Sequence, residues 1–359
     1  MRLLLVAVVT AACATGTLEP SASPSAPASV AAASPTPSPT PTPTAEPAFW
    51  PLTGLPAADA SRIHRRPLNV RMPNDRSARP QVGLSKADLV FEMIVEGGIT
   101  RYSAIFHSQQ PDAIGPVRSY RFSDLHITQM LRGALVASGA TIEERDAVTS
   151  SIRAGNMISV DAERVGAPYY RVSGRPAPNN EFADPAKARE AVNAAGGGGP
   201  VDVPALAFLP AVDHDPLAGG FASSAPAATL TIPFRDPSTF TYDPGSKGYR
   251  RAQSGAATID PDGDVAILAR NVVVIHTDIW ETSVVEDIFG SLGLDYRMTG
   301  GGAATVFRDG RRVDGTWKRD GVLDPFTFYD QTGARILLSP GQTWIHFLLP
   351  SATVTSSAE

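Results

Sequence analysis

A single cysteine, Cys13, among 359 residues excludes disulfides within the chain and cysteine-based metal sites. The six histidines (His64, His107, His126, His214, His276 and His346) are scattered without zinc-ligand spacing, and no metal or other cofactor is expected. There is no basic block, and 31 Lys and Arg against 36 Asp and Glu make the chain mildly acidic. That balance argues against a nucleic-acid partner held through its phosphates. Gly-x-Ser-x-Gly elbows and Walker loops are missing. Long apolar runs are missing too: Leu3 to Val9 is too short to span a bilayer, and no later segment offers a transmembrane helix.

What is present at the N-terminus is a short apolar run leading into Thr10-Ala11-Ala12-Cys13. Small residues before a lone cysteine read as a signal peptide over residues 1–13 that ends at an acylated Cys13. The alternative is an ordinary cleaved signal or clipped anchor with Cys13 incidental. Residues 14–48 are rich in Ser, Ala, Pro and Thr and cannot bury enough apolar surface to fold. In the polyproline conformation such a tether reaches on the order of 100 Å. The expected location is the outer face of the cell membrane, with a lipid anchor in the bilayer.

The remainder is long enough for two domains. Residues 49–200 mix helix and strand signals. Leu68 to Met72 alternates as a strand, and Leu135-Val136-Ala137 is a short buried one. Ser119 is positioned to cap a helix running to about Arg132. Thr141-Ile142-Glu143-Glu144 is a capping box, and Asp184-Pro185 opens a further helix. A Pro/Gly/Ala-rich linker is expected over 201–228. Strand signals then dominate 229–350, separated by turn dipeptides such as Asp309-Gly310, with one short helix expected over Val284 to Leu292. Residues 351–359 are expected to fray. The predicted class is therefore α+β: a mixed α/β N-terminal domain followed by a smaller, mostly antiparallel β C-terminal domain.

The most informative stretch runs from Leu89 to His107. Apolar strands flank Gly97-Gly98, and a tight turn there places Glu96 opposite Arg101, Phe91 against Phe106, Met93 against Ala104 and Val95 against Tyr102. One face is then core, and the other carries Glu92, Glu96, Arg101, Ser103 and His107. Arg118 and Arg121 follow closely. If Ser119 caps the next helix, Arg121 falls in its first turn, where a cation opposes the helix dipole unless an anion offsets it. Asp124 folding back onto Arg121 is the structural alternative.

Several segments carry a resemblance. Arg79-Pro80-Gln81, Glu96-Gly97-Gly98-Ile99-Thr100-Arg101, Gly115-Pro116-Val117-Arg118-Ser119, Gly315-Thr316-Trp317, Asp324-Pro325 and Pro340-Gly341-Gln342-Thr343-Trp344-Ile345 occur in one order across nearly all the folded chain. In these the chain resembles the YerB-like lipoprotein family, bacterial proteins with an N-terminal and a C-terminal domain of unknown function. The resemblance implies an exported, lipid-anchored envelope protein with an α+β first domain and no established activity. Where the family often has His-Ala-Gly-Gly-Ser this chain has Ala137-Ser138-Gly139-Ala140-Thr141, and where it often has Pro-His-Asn this chain has Pro178-Asn179-Asn180. No imidazole role carries over, although Asn180 still matches.

The candidate ligand-binding residues are Glu92, Glu96, Arg101, Arg118, Arg121 and Asn180. They are expected to form a cleft for an anionic cell-wall ligand or an envelope protein partner. For Glu96 and Arg101 the favoured reading is only a cross-strand ion pair. The alternative function is a cell-wall hydrolase using a carboxylate or His107 in the same cleft. Four residues at ~3.3 Å each put the Glu92 and Glu96 backbones roughly 13 Å apart, wide for a glycosidase pair. Trp317 and Trp344 could stack on sugars, though buried packing is the commoner role. Asp260-Pro261-Asp262-Gly263-Asp264 reads as a turn rather than a calcium loop.

Overall fold

The computed structural model describes residues 48–210 and 213–359. The signal-like segment with Cys13, and the tether up to residue 47, lie outside the described residues. The fold is α+β, and its organising feature is one long mixed sheet. Five strands come from the first half: β1 (Leu68–Pro73), β2 (Leu89–Ile94), β3 (Thr100–Phe106), β4 (Ala134–Val136) and β5 (Ile158–Ser159). Across the sheet they run β2-β3-β1-β4-β5. On the other side of β2 the sheet continues through Thr343–Leu348, Asn271–His276, Gly300–Arg308, Arg311–Arg319 and Thr327–Asp330.

The seam is parallel. Thr343–Leu348 pairs with β2 on one side and with Asn271–His276 on the other, so that His346 is the register partner of Glu92. The two halves are therefore not separate bodies, and Glu46–Glu359 forms one compact unit. The strands at the seam read as near-continuous apolar runs, as strands buried on both faces do.

Each face of the sheet has its own core. On one face lie Val90, Tyr102, Ala104, Phe106 and Trp344, covered by a second sheet built on Thr229–Ile232, Ser238–Asp243 and Gly248–Gln253. Helix α3 (Pro185–Val192), capped by Asp184, contributes Ala188 and Val192 to the same side. On the other face lie Leu89, Phe91, Met93, Ile105, Ile345 and Phe347, against which helix α1 (Phe122–Met130) packs Ile127 and Met130. Helix α2 (Ile142–Arg153) adds Val148 to a smaller cluster with Tyr120 and Leu135.

Four expectations are corrected by these contacts. The hairpin needs a wider loop than Gly97-Gly98: Val95 N donates to Ile99 O at 2.8 Å around a 3-10 turn at Glu96–Gly98. Phe91 consequently faces Ser103 rather than Phe106, a slip of three residues. An odd slip sends every side chain of one strand to the other face. Phe91 and Met93 are buried as expected, but on the opposite side of the sheet from Ala104 and Phe106.

The expected helix over Val284 to Leu292 is instead the tip of a hairpin arm, Ile279–Val285 with Leu292–Tyr296. The described residues of segment 201–228 pack into the core through Val203, Leu206, Leu209 and Phe221 rather than forming a free linker. In the tail, Thr355–Ser357 adds a strand to the second sheet instead of fraying.

Candidate functional site

The corrected register divides the predicted residues between the two faces. Glu92 lies opposite Tyr102, whereas Arg101 lies opposite Met93, so Glu92 and Arg101 point to opposite sides. Glu92 is fully buried beneath the second sheet. It accepts hydrogen bonds from Thr100 Oγ1 at 2.8 Å and Asn74 Nδ2 at 3.1 Å, and pairs with Arg251 at 3.1 Å. The Arg251 guanidinium sits 4.6 Å from the Trp344 ring centroid. His346 approaches Glu92 at 3.4 Å, and burial holds its imidazole down to about 4 despite that carboxylate. Trp317 and Trp344 are both buried and serve as packing.

On the other face Glu96, Arg101 and Arg121 do converge. Glu96 Oε1 accepts from Arg101 Nη2 at 2.8 Å and from Arg121 Nη2 at 2.5 Å, and its Oε2 accepts from Arg121 Nε at 3.1 Å. All three residues are buried. Burial alone would raise the Glu96 carboxyl, but the Arg121 hydrogen bond and the charges of Arg101 and Arg121 hold it down to about 2. Arg101 is pushed down to about 9 by burial and by repulsion from Arg121.

Arg121 is the N-cap of α1, one position outside the first turn, and Ser119 is not the cap. Asp124 folds back, accepting Arg121 N at 2.8 Å, but its carboxylate pairs with Arg71 at 3.2 Å. The Arg121 side chain is instead surrounded by carboxylates. Besides Glu96 it has Glu286 at 3.1 Å, reaching over from the hairpin arm, and Glu144 at 3.9 Å. Burial opposes its charge, yet these three carboxylates raise its pKa above the usual arginine value.

Glu144 and Glu286 were not singled out in the sequence. Glu144 was visible only as the capping-box residue of α2, a role it fills by accepting Thr141 N at 3.0 Å. Glu286 was hidden inside the expected helix. The two carboxyls confront each other: burial, and then the Glu286 charge, push Glu144 up to about 8 against the pull of Arg121. Burial likewise raises Glu286. A hydrogen bond between the two side chains raises Glu144 further and lowers Glu286. Glu286 lines a cavity of about 230 Å³ together with Ser119, Arg121, Ser138, Gly139, Thr141 and Glu163.

Arg118 is different in kind. Its backbone is fixed, N donating to Arg71 O at 2.9 Å and O accepting from Ser138 N at 3.0 Å. Its half-buried guanidinium has neither an ion pair nor a hydrogen bond among the described residues. Burial lowers its pKa, and Asp75, Glu96 and Glu181 offset part of that loss at longer range. Asn180 stands apart from the cluster, its Oδ1 accepting from the exposed Arg171 at 2.8 Å. His107, expected on the charged face, is buried edge-on to Trp50 at 4.9 Å and held neutral by burial, down to about 3. Among the described residues no group of three or more His, Cys, Asp or Glu side chains is placed to hold a metal ion.

Two family models match the chain. They are described as the N-terminal and C-terminal domains of a protein of unknown function, DUF3048, and cover residues 52–197 and 230–345. The chain belongs to the DUF3048 family. Among its relatives is "Putative lipoprotein YerB" of Bacillus subtilis (strain 168), 27% identical over 299 residues, which span 83% of this chain and 85% of that protein. The crystal structure of YerB from Bacillus subtilis shares the fold, with a TM-score of 0.71 at 24% identity over 86% of this chain and 100% of the other. No helix among the described residues is long and apolar enough to cross a membrane.

Proposed function

We infer that the chain is an exported envelope lipoprotein, anchored through Cys13, which captures a cell-wall ligand or partner by an anionic group at Arg118. The anchor is supported by the small residues before Cys13, the proline-rich tether behind it, and the description of the Bacillus relative as a lipoprotein. The observation carrying the binding role is the half-buried, unpaired guanidinium of Arg118. A partly desolvated arginine gains most from a carboxylate or phosphate that completes its fork of donors. Arg101, Arg121 and Glu96 serve as its scaffold, since they already satisfy one another.

Less supports a hydrolase. Glu92 and Glu96 are buried in separate ion pairs, with Arg251 and with Arg101 and Arg121, and His107 is out of reach of solvent.

The test is a titration with N-acetylalanine and with inorganic phosphate, monitored by NMR of arginine side chains. Binding to the wild type that is lost in Arg118→Ala, with unchanged thermal stability, supports the reading. Equal binding by both proteins, or none by either, overturns it. Membrane-fraction mass spectrometry tests the anchor: a lipid-modified Cys13 as first residue is expected, and an intact Met1 overturns it.

A further inference from the structure

A cavity of about 510 Å³ opens where the two halves of the chain meet. Its walls are the segment following β1, the hairpin loop between β2 and β3, and the turn ahead of Ser238–Asp243 in the second sheet. The charged lining holds three arginines, Arg76, Arg79 and Arg235, against two aspartates, Asp75 and Asp236. Asp236 is shared, lying 3.0 Å from Arg79 Nη2 and 3.5 Å from Arg76 Nη2. Asp75 accepts from Ser77 Oγ and, at 3.4 Å, from Asn179 Nδ2. Arg235 has no carboxylate partner among the described residues, and its Nη1 donates to Gly97 O at 3.1 Å. The lining therefore carries one positive charge in excess.

The floor of the site is fixed. Arg79 Nε donates to Asn74 O and Oδ1, both at 3.1 Å, and Arg79 Nη2 donates to Asn74 O at 2.6 Å. Asn74 is itself buried, its Nδ2 donating to Thr100 Oγ1 at 2.7 Å and to Glu92 at 3.1 Å. Glu92 beneath it is matched by Arg251. A guanidinium held in advance loses little freedom when a ligand arrives. Arg79 keeps its Nη1 for such a ligand, and the exposed Arg76 and Arg235 each make a single side-chain hydrogen bond. Unused donors thus come from two of the three walls. One guanidinium fork completes a planar carboxylate, whereas a tetrahedral phosphate offers oxygens to donors arriving from several directions.

We propose that this cavity binds the phosphate of a phosphodiester, with Arg76, Arg79 and Arg235 donating to its oxygens. Charge selects the diester. Its single negative charge matches the excess of the lining, whereas a doubly charged monoester would leave negative charge in surplus beside Asp75 and Asp236. The volume agrees, since it falls in the range of small-molecule sites and leaves room for a substituent on each side of the phosphate. A polyol joined by phosphodiesters and a phospholipid headgroup both carry this group. The site stands apart from the reading of Arg118, which is not part of its lining.

The experiment follows the arginine side-chain NMR signals of the full chain in non-ionic detergent during titration with glycerophosphoglycerol, a soluble phosphodiester. A second arm places the chain in phosphatidylcholine bicelles with and without phosphatidylglycerol. The signals of Arg79 and Arg235 are expected to shift. Arg235→Ala, an exposed change that breaks no ion pair, is expected to weaken binding by about tenfold or more, the scale of a charge-assisted hydrogen bond. Asp236→Asn, which removes the negative charge that Arg76 and Arg79 share, is expected to tighten it. Arg118→Ala should leave the Arg79 and Arg235 response in place. A response to the soluble diester supports the site for a free or polymeric ligand, and one seen only with phosphatidylglycerol supports it for a lipid headgroup. No response in either arm, a response confined to Arg118, binding that ignores Arg235→Ala, or weaker binding in Asp236→Asn overturns the proposal. Melting temperatures of the variants separate lost binding from lost structure. If Arg235→Ala lowers its own, the direction of the Asp236→Asn change decides.

Discussion

Glu92 and Arg101 sit one register position apart on paired strands and face opposite sides of the sheet. Glu92 belongs to a buried network that joins the two halves of the chain, reaching Arg251 and His346. Arg101 belongs to the cluster beneath α1 and the hairpin arm.

Glu92→Ala is therefore expected to destabilise the fold rather than impair binding. It strands the fully buried Arg251 without its carboxylate, a loss of about 3–5 kcal/mol. Glu92→Gln, which keeps the acceptor for Thr100 and Asn74, should lose less. Urea unfolding of the three proteins checks the order, and equal midpoints would contradict it.

The arginines should separate in the same assay. Arg121→Ala leaves the Glu286 side chain buried without its guanidinium and Glu96 with Arg101 alone, and a loss of about 3–5 kcal/mol is expected. Arg118 strands no close partner, and Arg118→Ala should stay within about 0.5 kcal/mol of the wild type. A large loss in Arg118→Ala would make it scaffold as well.

Stability should bend with pH in a direction set by Glu144. The folded chain keeps that proton up to about 8, while the unfolded chain releases it near the ordinary value of 4.5. Stability thus falls as pH rises from the unfolded to the folded value and levels off above it. Glu144→Gln should flatten this decline. Glu96 acts oppositely: held down to about 2, it adds stability above its ordinary 4.5 that is lost as pH falls through about 2. His107 and His346, held neutral to about 3 and about 4, steepen the acid limb, because the unfolded chain takes up protons below 6.5 that they refuse. Urea midpoints between about pH 3 and about pH 9 measure both limbs.

Gly315 is required by a close approach. A Cβ there would lie 2.0 Å from the Tyr329 carbonyl oxygen, in the pairing of Arg311–Arg319 with Thr327–Asp330. Gly315→Ala must push this edge strand outward, at a loss of about 1–3 kcal/mol. Hydrogen exchange should show faster exchange confined to Thr327–Asp330 and its neighbours. An unchanged pattern and stability would refute the contact.

Much of the chain's local structure was legible without coordinates, because it is governed by neighbours in sequence. The Thr141–Glu144 capping box, the Asp184 cap with Pro185, the Asp309-Gly310 turn and the strands at Asn271 and Thr343 are all where propensity and periodicity put them. The meeting of Glu96, Arg101 and Arg121 was legible for the same reason: one turn and one short connection bring them together. The hairpin register was decided otherwise. Two glycines permit a tight turn, but packing against two separate cores selected a loop longer than that, and the odd slip sent Glu92 away from Arg101. Nor could the sequence supply Glu286 to Arg121. That contact depends on an arm from the second half folding over α1, and on a parallel seam between β2 and Thr343–Leu348 that no local pattern encodes. Side-chain alternation fixes which residues share a face only once the pairing partner is known, and that partner is chosen by the whole core.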